Sequence, residues 1–231
     1  MWDDTEIGGP NDRFPATQFS LIEAAAATGL AGEALESIAS IYWKPVYRFI
    51  RLKFGKNNED AKDLTQSFFA SALERDFLGR FEPQRGSFRT YVRMAVERFA
   101  STEQQAATRQ KRGGGLEFES VADQAAGGES PERIFEREWQ RRLFELGIED
   151  LRAHCEGCGK QVQFAVFLAH DLGDERPSYK DLAIRHGIAE TAVTNHLAWA
   201  RRTLRGFVNA RLRGVTASDR EFRSEMRRIW I

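Results

Sequence analysis

The residues able to do chemistry in this 231-residue chain crowd into one stretch, 57–112. Its first part carries Asp60, Asp63 and Gln66 at three-residue steps, which sets two carboxylates and an amide on one side of a helix. Such a face suits a partner protein, although the plainer reading is a solvated amphipathic helix. The second part mixes arginine with aromatics: Phe81, Arg85, Phe88, Arg89, Tyr91, Arg93, Arg98 and Phe99. Arg89 and Arg93 can hold phosphates while an aromatic ring stacks on an unpaired base, as a surface that separates DNA strands needs. The alternative is a surface helix laced with Arg and Glu. Between Arg80 and Arg112 stand eight Lys or Arg against three Glu, whereas the whole chain balances 34 basic against 34 acidic residues. A neutral total therefore hides a basic patch, and a polyanion responds to the patch.

A second constellation spans Ser178 to Arg205. Ser178 and Asp181 have capping-box spacing, Ala183 is a small residue at a helix crossing, and Gly187 suits a turn with positive φ. Ile188 plugs the turn, and Val193 and Leu197 face inward. This is the helix-turn-helix pattern. The outward side of its second helix holds Glu190, Thr191, Thr194, Asn195, Ala198, Arg201, Arg202 and Arg205. Thr191, Thr194 and Asn195 are the candidates for base edges, since Asn pairs twice with adenine in the major groove. Arg201, Arg202 and Arg205 suit backbone phosphates, which position without specifying. An ordinary helical hairpin is the competing reading, and the trailing arginines favour DNA. His196, beside the inward Leu197, reads as packing.

Other chemistry finds little support. Cys155 and Cys158 form one CxxC with only His154 nearby, short of the four ligands a zinc site needs, so no metal is expected. No Gly-rich phosphate loop, HExxH or nucleophile motif occurs; neither an enzyme nor a cofactor is expected. No apolar run approaches the roughly 20 residues of a membrane span. The start Met1-Trp2-Asp3-Asp4 lacks the apolar core of a signal peptide, so the expected compartment is the cytoplasm.

These residues need helices to position them, and the pattern predicts an all-α fold. Residues 1–16 read as a mobile tail, followed by a short helix at Leu21–Ala27. Helical period runs from Glu33 to Phe54, with Pro45 expected to kink or restart the helix at Trp43–Lys44. Asn57 or Asn58 caps the next helix, whose stripe is Ala61, Leu64, Phe68 and Ala72. Pro83 and Gly86 mark a loop, and Ser87 caps the helix carrying Phe88, Tyr91, Val92, Ala95 and Phe99 inward. Residues 113–130, rich in Gly and acid, read as a flexible linker between two helical lobes, 17–112 and 131–213. Ser130-Pro131 opens the second lobe. Val162, Phe164, Ala165, Phe167 and Leu168 give the apolar side of a further helix. An extension, 214–231, is expected to dock by Phe222, Met226, Ile229 and Trp230.

The run "EDAKDLTQSFFASAL…RFEPQRGSFRTYV" resembles the second conserved region of bacterial sigma-70-type sigma factors of the extracytoplasmic-function (ECF) group. "SPERIFEREW" and the Pro177–Arg205 helix-turn-helix resemble the fourth region. "FPATQFSLI", "YWKPVYRFI" and "QKRGGG" are similar to a subgroup abundant in planctomycetes and related soil bacteria. The resemblance covers about Phe14 to Leu212. It implies a protein that binds core RNA polymerase through the Asp60, Asp63 and Gln66 face. It implies that Phe81–Arg98, with Arg85, Phe88, Arg89 and Arg93, binds and melts the minus-ten promoter element. The Glu190–Arg205 helix would read the minus-thirty-five element, and the linker would lie near the RNA exit path.

Three departures from the family stand out. Lys62 and Ser67 replace acids on the docking face, so phosphorylation of Thr65 or Ser67 by a Ser/Thr kinase would restore its negative charge. Thr194, Asn195 and His196 replace Lys, Ser and Arg, so the promoter sequence does not transfer. The extension after Gly214 has no counterpart and would be a place for regulation, as an anti-sigma factor would be from outside. The competing functions are a helix-turn-helix regulator that never enters polymerase and an adaptor that does not bind DNA.

Overall fold

Apolar spacing at three and four residues dominates the chain, and the computed structural model contains only helices over the residues it describes, 31–112 and 129–230 (side chains for 35–109 and 129–230). The tail, the helix expected at Leu21–Ala27 and linker positions 113–128 lie outside the described residues. Eight α-helices follow in order: α1 Ala31–Lys53, α2 Asn58–Glu74, α3 Phe88–Arg112, α4 Pro131–Gly157, α5 Gln161–Phe167, α6 Tyr179–His186, α7 Glu190–Gly214 and α8 Asp219–Ile229. Among the described residues no helix is long and apolar enough to cross a membrane.

Local signals account for most boundaries. The Asn57 side chain accepts from the Asp60 amide at 2.9 Å and starts α2. Ser87 Oγ accepts from the Thr90 amide and starts α3. Ser130 caps α4, with Pro131 in its first turn. Pro45 departs from expectation: α1 continues through it rather than restarting. Its neighbours Ile41, Tyr42, Val46, Phe49 and Ile50 are fully buried, and that packing offsets the missing backbone donor. Of the apolar side expected for α5, Phe167 is buried and Phe164 packs against the core, whereas Val162 and, just beyond the helix, Leu168 are exposed and Val166 is buried in their stead.

The two halves of the sequence share one continuous core. Helix α1 packs on α4, and α4 on α7. Phe135 of α4 stacks on Tyr42 at 6.4 Å and meets Phe49 edge-on at 5.9 Å, both on α1. Polar contacts frame this seam: Arg142 Nε donates to the Ser40 carbonyl at 2.9 Å, and Lys44 and Lys53 pair with Glu145 and Glu132. Gly147 makes the α4–α7 approach possible, because a Cβ there would lie 2.6 Å from Val208 Cγ2.

Candidate nucleic-acid interface

The helix-turn-helix forms as its residue types dictate. Ser178 Oγ accepts from the Asp181 amide, and the Asp181 carboxylate accepts from the Ser178 amide, closing a capping box at the start of α6. The helix ends at Gly187, which sits at φ 63°, ψ 36°, and the Ile188 amide returns to the Ala183 carbonyl at 3.0 Å. Then α7 buries Val193, Leu197, Ala200, Leu204 and Val208 along one side.

That burial leaves the opposite side to solvent. Thr191, Thr194, Asn195, Arg201, Arg202 and Arg205 are all exposed, so the expected reading residues share one open face. The three arginines differ in how free they are. Arg201 makes a bidentate pair with Asp171, 2.7 Å on each arm. Arg205 lies 4.9 Å over the Trp230 ring of the extension. Arg202 has no ion pair among the described residues. Asp171 sits in a π-helical turn, Leu168–Leu172, beside His170 Nδ1 at 2.8 Å. Hydrogen bonds from Arg201 hold the Asp171 carboxyl below its ordinary range, against the opposing effect of burial.

A carboxyl whose folded pKa is depressed contributes stability above its unfolded pKa and loses it as acid titrates the folded form. The parent should therefore melt above an Asp171→Asn variant by a constant margin above about pH 5. Thermal melts at stepped pH should show that margin shrinking as pH falls further. A margin independent of pH would remove the ionic account.

The first-half segment behaves differently. Arg85 is exposed and pairs with Glu82 at 2.8 Å, and Arg93 is half-buried with no ion pair among the described residues. Phe88 and Arg89, expected to touch melted DNA, are instead buried, at 1% and 5% exposure. Phe88 lies in an aromatic cluster with Tyr42, Phe77 and Phe81 and has no face to offer a base. Phe88, Val92 and Val96 repeat every four residues and form the core side of α3, and Arg89 adjoins that side, where α4 and α8 cover it. Its guanidinium reaches Glu136 at 3.0 Å and Glu225 at 3.1 Å, and lies 4.8 Å over Trp139. Met94, 44% exposed, is the large apolar side chain that α3 does present to solvent between Arg93 and Arg98.

On α2, Asp60, Asp63 and Gln66 are exposed, and Leu73, 54% exposed, lies two turns beyond Gln66 on nearly the same side. Leu73 was absent from the expected docking face because an isolated leucine carries no polar signal. Thr65 corrects another expectation. Its side chain is fully buried and donates to the Ala61 carbonyl at 2.7 Å, so the folded protein does not present it to a kinase. Ser67 is exposed. Thr65 belongs to the apolar stripe Ala61-Thr65-Phe68-Ala72, where its methyl packs and its hydroxyl is satisfied by the preceding turn.

His154 packs beside Trp199 and Phe207, Cys155 is buried and Cys158 is exposed. Burial raises the Cys155 thiol pKa, the opposite of an activated thiolate. No group of three or more His, Cys, Asp or Glu suited to a metal occurs among the described residues. The extension supplies what sequence reasoning missed: Glu221 and Glu225, one helical turn apart, reach the start of α3. No protein-family model, no curated protein and no solved structure matches the chain.

Proposed function

We propose that the chain is a DNA-binding transcription protein, and specifically an ECF-type RNA polymerase sigma factor. The observation that carries the reading is the open face of α7, where Thr191, Thr194, Asn195 and Arg202 stand together beyond a well-formed turn. In this reading α7 enters the major groove at the minus-thirty-five element. The exposed Asp60, Asp63 and Gln66, with Leu73 as an apolar anchor, dock on core polymerase. Arg85 and Arg93, joined by Arg89 once uncovered, engage the minus-ten element and its melted strand, with Phe88 remaining in the core. The protein is cytoplasmic, uses no cofactor and performs no catalysis of its own; an anti-sigma factor and a kinase acting at Ser67 are its candidate regulators.

The burial of Phe88 and Arg89 favours a second reading, a helix-turn-helix regulator that acts without polymerase. In vitro transcription with core polymerase and genomic fragments, alongside co-elution of the protein with core polymerase, separates the two. Transcripts that depend on the added protein support the sigma factor. DNA binding without co-elution or transcripts supports the regulator, and absence of salt-dependent DNA binding removes both.

On a fragment recovered in that assay, Asn195→Ala should weaken binding by about 1–3 kcal/mol, roughly 5- to 150-fold, and relax preference at one base pair. Arg202→Ala should weaken binding on all sequences alike and lower the salt slope by about one. Fluorescence anisotropy across a salt series reads both effects, and equal behaviour of the two variants would move base reading away from Asn195.

A further inference from the structure

Helix α8 lies on both segments expected to face DNA. At its first turn Glu221 accepts from the Phe88 backbone amide at 2.7 Å with one oxygen and from the Ala217 amide at 2.8 Å with the other. One turn later Glu225 meets Arg89 at 3.1 Å, with the two side chains only 5% and 6% exposed. At its other end Trp230 lies under Arg205 and donates its indole N–H to Asn209 at 2.9 Å. Arg213 of α7 pairs with Asp219 and lies 4.7 Å over Phe222. These contacts are chemically what a phosphate backbone would make. The amide at the start of α3 and the Arg89 guanidinium form an anion seat, occupied by Glu221 and Glu225 of α8, while the half-exposed Glu136 of α4 holds the other arm of the guanidinium.

We propose that α8 is an intramolecular latch that takes the place of nucleic-acid phosphates at the start of α3 and, through Trp230 beyond its end, holds one side of the exposed Arg205, and that it must leave before DNA binds. The inference rests on the DNA-binding reading above. Two further observations support it. Arg89 Nε and Glu225 Oε2 are buried without a partner among the described residues, and unpaired buried polar atoms weaken a contact. The packed halves are also too close for extended engagement. The minus-ten and minus-thirty-five elements lie about 25 base pairs apart, roughly 85 Å of duplex. The described residues, 31–112 and 129–230, packed compactly are only about 40 Å across. The latch adds the contacts of α8 with α3 and α7 to the α1–α4 seam, which itself keeps the halves in that short form.

The test uses the full chain and its Glu221→Gln/Glu225→Gln variant. Hydrogen exchange is followed at 219–229 and at the first turn of α3, and affinity is measured for a fluorescein-labelled, random-sequence 20-nucleotide single strand. The variant should exchange faster at both places and bind the strand at least about fivefold more tightly. The unaltered protein, saturated with the same strand, should lose protection over 219–229, because the two occupants exclude one another. The proposal is overturned if the variant stays closed, if it opens with unchanged affinity, or if 219–229 stays protected in the DNA-bound parent. Should the variant fail to fold, the parent experiment decides alone. If neither protein binds the strand or a duplex of equal length at low salt, the DNA-binding reading fails, and the latch with it. Opening of α8 with DNA bound by both proteins at equal affinity rejects the latch alone.

Discussion

Arg89→Met is expected to cost about 3–5 kcal/mol of folding stability, because it strands the Glu225 carboxylate in a site that water barely reaches. For a domain of this size that corresponds to a fall in Tm of roughly 6–20 °C. The other partner, Glu136, is half exposed and regains water, so nearly all the loss comes from Glu225. A double variant, Arg89→Met/Glu225→Met, should recover most of the deficit, since a buried ion pair replaced by apolar groups of similar volume is often neutral. Urea denaturation of the two single variants and the double variant gives the coupling directly. Additive losses would show that Arg89 acts through its stacking on Trp139 and not through the carboxylate.

Phe135→Ala is expected to cost about 3–5 kcal/mol, by lost transfer energy and by the cavity left between α1 and α4. Phe135 is fully buried and touches Tyr42 and Phe49 across the seam between the two halves of the sequence. The distribution of the effect is as informative as its size. One continuous core predicts a single unfolding transition, with protection lost together in α1 and in α7. Two transitions, with α7 unaffected, would mean that the halves fold as independent units whose contact contributes little. On the DNA-binding reading the same seam has to part when the protein spans two promoter elements, so its strength bears on the ease of opening.

Much of the local structure was legible in residue types. Asn57, Ser87, Ser130 and Ser178 announced four helix starts because a short polar side chain satisfies the orphan amides of a first turn. Gly187 and Ile188 announced the turn of the helix-turn-helix because the αL conformation excludes most other residues. The outward face of α7 followed from the period of its apolar residues. The docked extension was also readable, since Phe222, Met226, Ile229 and Trp230 are too apolar to be left in water.

What failed had a common cause. A guanidinium on a helix looks the same in sequence whether solvent or another helix lies beyond it, so Arg89 read as a DNA contact. The carboxylates that claim it are Glu136 in α4 and Glu225 in the second turn of α8, the latter 136 positions away, and no local spacing connects them. Thr65 was read as polar and therefore accessible, although a threonine satisfied by the preceding turn is at home in a core.

By itself, then, the order of residues determined the helices, their caps, the outward polar face of α7 and the acidic face of α2, because each depends on neighbours within a turn or two along the chain. Only the tertiary structure decided which charges stay free: Arg202 is open, Arg201 is held by Asp171, Arg205 lies over Trp230, and Arg89 is sealed beneath α8. Electrostatic pairing acts through space at a few ångströms, and contacts between distant parts of the chain come into being only when the helices pack.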